Sequence, residues 1–136
     1  MRFEASVAEY EAAARTGGLD TTLLLNWGLA LDDAGRTKEA LDKLTQAADA
    51  QPTAHVYSQI GRLYGLDKQN EKALAALDKA EQLDPSFEMT YVYRGNVFLS
   101  QGESDKATAE YKRAIAINPN NGPALENLRL AAQDRR

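Results

Sequence analysis

The chain of 136 residues contains no cysteine and only one histidine, His55. Without cysteine it can form neither a disulfide framework nor a thiolate metal site, and it has no thiol nucleophile. His55 also has no second imidazole with which to share a metal ion or a catalytic proton. We therefore expect no cofactor and no catalytic centre, although the lack of cysteine does not assign a compartment.

Positive charge and long apolar runs are scarce as well. Lysine and arginine number 16 against 20 acidic residues, which gives a formal net charge of −4. Because binding to phosphate backbones or anionic lipids requires a concentrated basic face, this balance argues against nucleic acid as a partner. No segment approaches the roughly 20 consecutive apolar residues of a membrane span. We expect no nucleic-acid binding and no membrane insertion.

What the sequence does contain is an internal repeat. Gly28, Gly61 and Gly95 are separated by 33 and 34 residues. Six further columns keep the same spacing, namely Ala40, Ala73 and Ala107; Ala47, Ala80 and Ala114; Leu24, Tyr57 and Tyr91; Leu31, Tyr64 and Phe98; Leu44, Leu77 and Tyr111; and Pro52, Pro85 and Pro119. Three copies of one structural unit are therefore predicted.

Each copy has the pattern of two short amphipathic helices. In the first copy, apolar residues recur at intervals of three and four over residues 24–31 and again over residues 40–47. Thr37, Asn70 and Ser104 follow the breaks between the helices and are predicted to cap the second helices. The small residues let the helices approach closely while the large ones fill the gaps. These columns, including their tyrosines, therefore indicate packing rather than chemistry.

Together the columns resemble the tetratricopeptide repeat (TPR), a helix-turn-helix unit of about 34 residues with a glycine, two alanines, bulky residues and a closing proline at these offsets. The resemblance covers residues 21–119, with Trp27 where the family more often has leucine. It implies an all-α, right-handed superhelical solenoid of antiparallel helix pairs. Stacked hairpins cover each other's apolar faces in such a solenoid and leave a concave side.

The spacing divides the chain into five segments, namely residues 1–18, 21–53, 54–87, 88–121 and 122–136. The middle three are the hairpins, and the last is predicted to be a capping helix. The first resembles the second helix of a truncated repeat, with Phe3, Tyr10 and Ala13 on its apolar face. We expect this helix to be the weaker end and the surface through which two copies would form a homodimer.

In TPR proteins the first helix of each hairpin lines the concave face and binds a partner segment, and the resemblance implies the same here. A second stripe on the first helices varies between the copies, which is where specificity would be encoded. The predicted peptide-binding residues are Leu25, Asn26, Leu29, His55, Ser58, Gln59, Arg62, Met89, Val92, Tyr93, Asn96 and Leu99. We expect a ligand with two or more apolar anchors, with or without a carboxylate. The alternative is that some of the apolar residues pack against the curve itself.

One subtype of the family can be tested directly. TPR domains that bind chaperone tails resemble each other in a carboxylate clamp of two lysines, two asparagines and an arginine. The matching positions here hold Leu25, Leu29, Gln59, Met89 and Tyr93. The clamp is absent, so we do not expect a chaperone tail that ends in acidic residues as the ligand.

The adjacent carboxylates of Asp32 and Asp33 are the remaining candidate for a reactive site. Neighbouring residues of a helix point about 100° apart, so these two cannot converge on one atom. We interpret them as a solvated helix end.

The function that these observations favour is a non-catalytic protein-interaction scaffold, the C-terminal TPR segment of a larger bacterial protein. It would bind a peptide or a helix of a partner protein. Two alternatives stay open. The first is a structural module that self-assembles through its N-terminal helix, and the second is the recognition arm of an enzyme whose catalytic domain lies upstream.

Overall fold

The repeats fold as a row of antiparallel helix pairs. The computed structural model describes residues 2–17 and 20–134, and within these ranges the chain forms eight α-helices and no strand. Their bounds are α1 Arg2–Gly17, α2 Thr21–Asp33, α3 Thr37–Ala50, α4 Ala54–Leu66, α5 Asn70–Leu83, α6 Met89–Ser100, α7 Ser104–Ile117 and α8 Gly122–Asp134. The prediction of an all-α helical repeat is confirmed. The ends of two expected segments, at residues 1, 18, 135 and 136, lie outside the described ranges.

The order of packing gives the row its curvature. α2 packs against α3, α4 against α5 and α6 against α7, and consecutive hairpins meet through α3 with α4 and α5 with α6. The first helices α4 and α6 also pack side by side, as α6 and α8 do. No comparable packing joins the second helices to one another within the described residues. The row therefore curves with the first helices on its inner, concave side.

The glycine column marks the closest approach within each hairpin. Gly28, Gly61 and Gly95 each face the large residue 16 positions later in the chain. A Cβ added to Gly61 would lie 2.6 Å from Cγ of Leu77 and 3.2 Å from the carbonyl oxygen of Ala73. Since real Cβ atoms do not approach other carbons to 2.6 Å, the paired helices can sit this close only over glycine.

The turn inside each hairpin is the same backbone motif three times. The N–H of the residue before each second helix donates to the carbonyl oxygen five residues earlier, at 2.8 to 2.9 Å. This closure requires a residue in the left-handed region. Gly35 with φ 79° and Gly102 with φ 77° fill that position in two copies, and Lys68 with φ 60° fills it in the middle one.

The caps at the helix starts differ from the sequence expectation. Thr37, Asn70 and Ser104 begin α3, α5 and α7, and the residue before each of them makes no side-chain cap hydrogen bond. The turn described above already fixes those starts. Side-chain caps stand instead at Asp20 and Thr53, which accept from the backbone N–H three residues later at 2.7 and 3.1 Å.

The apolar face of α1 is displaced by about one residue from its predicted position. Val7 is buried against α2, and Tyr10 and Ala14 are partly covered there. Ala13 is exposed, and the side chain of Phe3 lies outside the described set. The displacement follows from α1 packing against α2, which belongs to the next hairpin.

Replacing Lys68 with glycine is expected to stabilise the protein by roughly 1 kcal/mol, because a Cβ is unfavourable in the left-handed region. The reverse change, Gly102→Ala, should lower stability by a similar amount, since nothing but its φ constrains that site. Thermal unfolding measures both, as shifts of a few degrees in Tm. An unchanged Tm for Lys68→Gly would show that the middle turn is unstrained.

Filling the glycine column should destabilise the array. We expect Gly61→Leu or Ala73→Leu to cost about 1–3 kcal/mol or more, because each forces apart two helices that already touch. Urea titration followed by circular dichroism measures the loss. The control is Ala75→Leu, an exposed position on the same second helix, α5, which should change stability little.

Candidate peptide-binding groove

The predicted groove residues fall into three groups by exposure. Those exposed to solvent are Asn26, His55 and Asn96. Those half-buried are Leu25, Leu29, Gln59, Arg62, Met89, Tyr93 and Leu99. Ser58 and Val92 are 0% and 1% exposed, so the sequence prediction is wrong for these two.

Ser58 and Val92 are buried because each first helix has neighbours on both sides. The hydroxyls of Ser58 and Thr90 lie 2.8 Å apart and share a hydrogen bond between α4 and α6. Val92 belongs to a core cluster with Tyr91 and Ala124, where α6 meets α8. Neither side chain is available to a ligand.

A recess of about 140 Å³ opens between α4 and α6 on the inner side of the row. Three predicted residues, Arg62, Tyr93 and Asn96, line it. The residues that complete the lining were not predicted, namely Gly65, Leu66, Val97 and Ser100.

Leu66 and Gly65 give the recess its apolar opening. Leu66 is 69% exposed, the highest value among the exposed large apolar side chains of the described residues. A Cβ at Gly65 would lie 3.2 Å from Cγ2 of Val97, so the glycine keeps this space open. The repeat spacing could have found both, because they stand 34 residues before Leu99 and Ser100.

Arg62 does not offer a free charge to the groove. Its Nη2 lies 2.8 Å from Oδ2 of Asp32, and its Nε donates to Oε1 of Gln59 at 2.8 Å. The side chains of the ion pair are 24% and 19% exposed for Arg62 and Asp32. Asp32 is therefore a structural link between α2 and α4, which corrects its interpretation as part of a solvated helix end.

Asn96 is held by hydrogen bonds from two other helices. Its Oδ1 accepts from the hydroxyl of Tyr111 at 2.7 Å and from Nδ2 of Asn127 at 2.8 Å. Burial raises the pKa of Tyr111 to about 12, so its hydroxyl stays protonated and remains a donor at neutral pH. The amide NH₂ of Asn96 is then the group that can face a ligand.

Several apolar residues of the stripe pack partly against the curve. Leu25 contacts the main core cluster, and Leu99 packs beside Leu128 of α8. The ring of His55 lies 5.7 Å from the ring of Phe87, centroid to centroid. The apolar surface that is most open to a ligand is therefore concentrated at the recess.

The densest charge cluster lies on the outer side, between α5 and α7. Arg94 is only 5% exposed, and its guanidinium lies 2.8 to 3.0 Å from the carboxylates of Asp78, Glu81 and Glu110. It stands in the column of Ile60, which is an apolar core position. Sequence reasoning missed this cluster because the column contains apolar residues in the other copies.

Arg113 completes the outer cluster. It donates to Glu81, and its guanidinium carbon lies 4.3 Å from the ring centroid of Tyr91. Burial alone would raise the pKa of Glu81, but hydrogen bonds from Arg113 and Arg94 and their charges lower it below the ordinary value of 4.5. These contacts tie the second helices together where they do not pack directly.

Two other kinds of site were sought in residues 2–17 and 20–134. No group of three or more histidine and carboxylate side chains there is placed to hold a metal ion. No helix in the same ranges is long and apolar enough to cross a bilayer.

Comparison with known families decides which fold family this is. Two models of the tetratricopeptide repeat match residues 2–55 and 54–87, and a TPR repeat model matches residues 95–131. The chain is a tetratricopeptide repeat protein. TPR folds are typically non-catalytic, and the family supports a protein-interaction scaffold.

Among curated TPR relatives, the human protein O-mannosyl-transferase TMTC1 is 30% identical over 93% of this chain and 15% of its own length. Human DnaJ homolog subfamily C member 3 is 28% identical over 87% of this chain and 24% of its own length. The chain thus spans less than a quarter of the length of these two relatives.

Solved structures of TPR proteins superimpose closely. The crystal structure of MamA matches with a TM-score of 0.82 and 25% identity, over 98% of this chain and 78% of that one. The first TPR of Spaghetti (RPAP3), bound to the HSP90 peptide SRMEEVD, matches with a TM-score of 0.77 and 25% identity. That match covers 83% of this chain and 90% of the other.

Removing the buried guanidinium should be costly. We expect Arg94→Ala to lower the free energy of unfolding at pH 7 by on the order of 3 kcal/mol, because it leaves the carboxylates of Glu81 and Glu110 without their counterion. Since the pKa of Glu81 is lowered in the folded state, its stabilisation is present above pH 4.5 and lost as the pH falls below it. Urea unfolding at pH 7 and pH 3.5 should show a smaller loss for Arg94→Ala than for wild type.

The control for the Arg94 prediction is Arg129→Ala. Arg129 pairs with Glu126 at 2.5 Å, but both side chains are exposed. Such surface pairs contribute about 0–1 kcal/mol, so this change should be nearly silent. Equal effects of the two substitutions would show that the outer cluster is no more than a surface ion pair.

Proposed function

We propose that this chain binds an extended or helical segment of a partner protein along the inner side of α2, α4 and α6. The observation that carries the proposal is the recess between α4 and α6, where an open apolar side chain, Leu66, borders a concave surface. Concave, mostly apolar sites with a few placed polar groups are the usual form of ligand-binding sites. The amide of Asn96 and the hydroxyl of Tyr93 are the polar groups available there.

The structural neighbours support this choice of face and ligand class. The first TPR of Spaghetti (RPAP3) was solved with a peptide of another protein bound to it. Its peptide, SRMEEVD, carries three acidic residues. The groove of this chain lacks the lysines of a carboxylate clamp, so we propose a peptide ligand of a different composition.

A pair of matched triple variants tests the proposal. The groove variant combines Asn26→Lys, Leu66→Lys and Ser100→Lys, all at exposed positions on the first helices. The outer variant combines Thr45→Lys, Ala75→Lys and Ala109→Lys, at exposed positions on the second helices. Both add three positive charges, and both should keep the stability of the wild type within about 1 kcal/mol.

The probe is a set of twelve-residue peptides selected on the wild-type chain from a random display library. Because a few central contacts carry most of a binding energy, we expect the groove variant to weaken their binding at least tenfold, or about 1.4 kcal/mol. The outer variant should bind as the wild type does. Loss of binding in the outer variant alone, or failure to enrich any peptide, would overturn the proposal.

A further inference from the structure

The first helices contain only two full cations, and both are already committed. α2, α4 and α6 together carry Arg62 and Arg94 and no lysine. Arg94 turns to the outer side, where three carboxylates surround it. Arg62 faces the inner side and is paired with Asp32. The inner side therefore has no uncompensated positive charge on these helices.

The Arg62 pair is built so that a ligand carboxylate must compete with it. Asp32 reaches Arg62 from the neighbouring hairpin, and Gln59 holds the Nε of the same guanidinium. Both charged side chains are more than three-quarters buried. A second carboxylate would have to displace Asp32 or sit beside it, and like charges in a partly buried site repel strongly.

The size of the recess limits what can enter it. Its volume is about 140 Å³. An apolar protein cavity of about 150 Å³ is known to hold one benzene molecule. The recess therefore has room for one aliphatic side chain or one single-ring side chain, bordered by Leu66 and Val97.

We propose that the groove selects uncharged segments that place one apolar side chain in this recess, and that Asp32 excludes acidic segments by holding Arg62. This inference rests on the proposed function, and it names the ligand chemistry of the same site. Asp32 acts as a specificity residue without touching the apolar anchor. The consequence is that removal of the Asp32 charge should change which peptides bind rather than whether peptides bind.

The first experiment compares Asp32→Asn with Asp33→Asn. Both remove one negative charge from the same end of α2, but the structure pairs only Asp32 with Arg62. A random twelve-residue display library is selected on the full chain of each variant and of the wild type. Wild type and Asp33→Asn should enrich peptides poor in aspartate and glutamate, and Asp32→Asn should enrich acidic residues at least fivefold over both.

The second experiment tests the recess with Leu66→Ser and Leu83→Ser. Each leucine is the last residue of its helix, α4 or α5, and they are 69% and 40% exposed. Neither change should unfold the protein. A peptide enriched on the wild type should lose at least tenfold in affinity for Leu66→Ser and stay within twofold for Leu83→Ser.

The possible failures separate this inference from the proposed function. Acidic peptides enriched on the wild type, or the same composition on Asp32→Asn and Asp33→Asn, would overturn the role of Asp32. Equal affinities of Leu66→Ser and Leu83→Ser would overturn the anchor recess. In each of these cases the groove triple would still abolish binding, and the proposed function would stand. Binding that ignores the groove triple would overturn both.

Discussion

The close approach of the two helices in each hairpin is the constraint on which the rest of the structure depends. Glycine at positions 28, 61 and 95 lets a large side chain of the second helix lie directly against the backbone of the first. That contact uses one side of each first helix, and the neighbouring hairpins use the flanks. What remains is a narrow inner strip, and the candidate ligand surface is confined to it.

The charged residues supply a second set of links where packing is sparse. Arg94 joins α5, α6 and α7 on the outer side, and Arg62 joins α2 to α4 on the inner side. Both links cross from one hairpin to the next, so they bear on the angle between hairpins more than on the hairpins themselves. A buried guanidinium in an apolar column is destabilising unless its carboxylates are in place. The orientation of the third repeat therefore depends on Asp78, Glu81 and Glu110.

Most of the fold could be predicted from the sequence, because the packing columns recur at a fixed spacing and their sizes change in step. The burial of Ser58 and Val92 could not, since it arises from α4 and α6 packing side by side, a contact between repeats that a single-helix pattern does not contain. Arg94 was missed for a related reason. Its partners lie 16 residues before and after it, on two other helices, and its own column looks apolar.

The candidate site shows how one repeat position can take three different roles. Asp32, Gly65 and Leu99 occupy the same place in the three copies. The first neutralises Arg62, the second opens the recess and the third packs against the cluster beneath α8. The scaffold fixes where these side chains stand and leaves their chemistry free. Since only the middle copy has no side chain there, the recess forms between the second and third repeats, beside a cation that the first repeat has already paired.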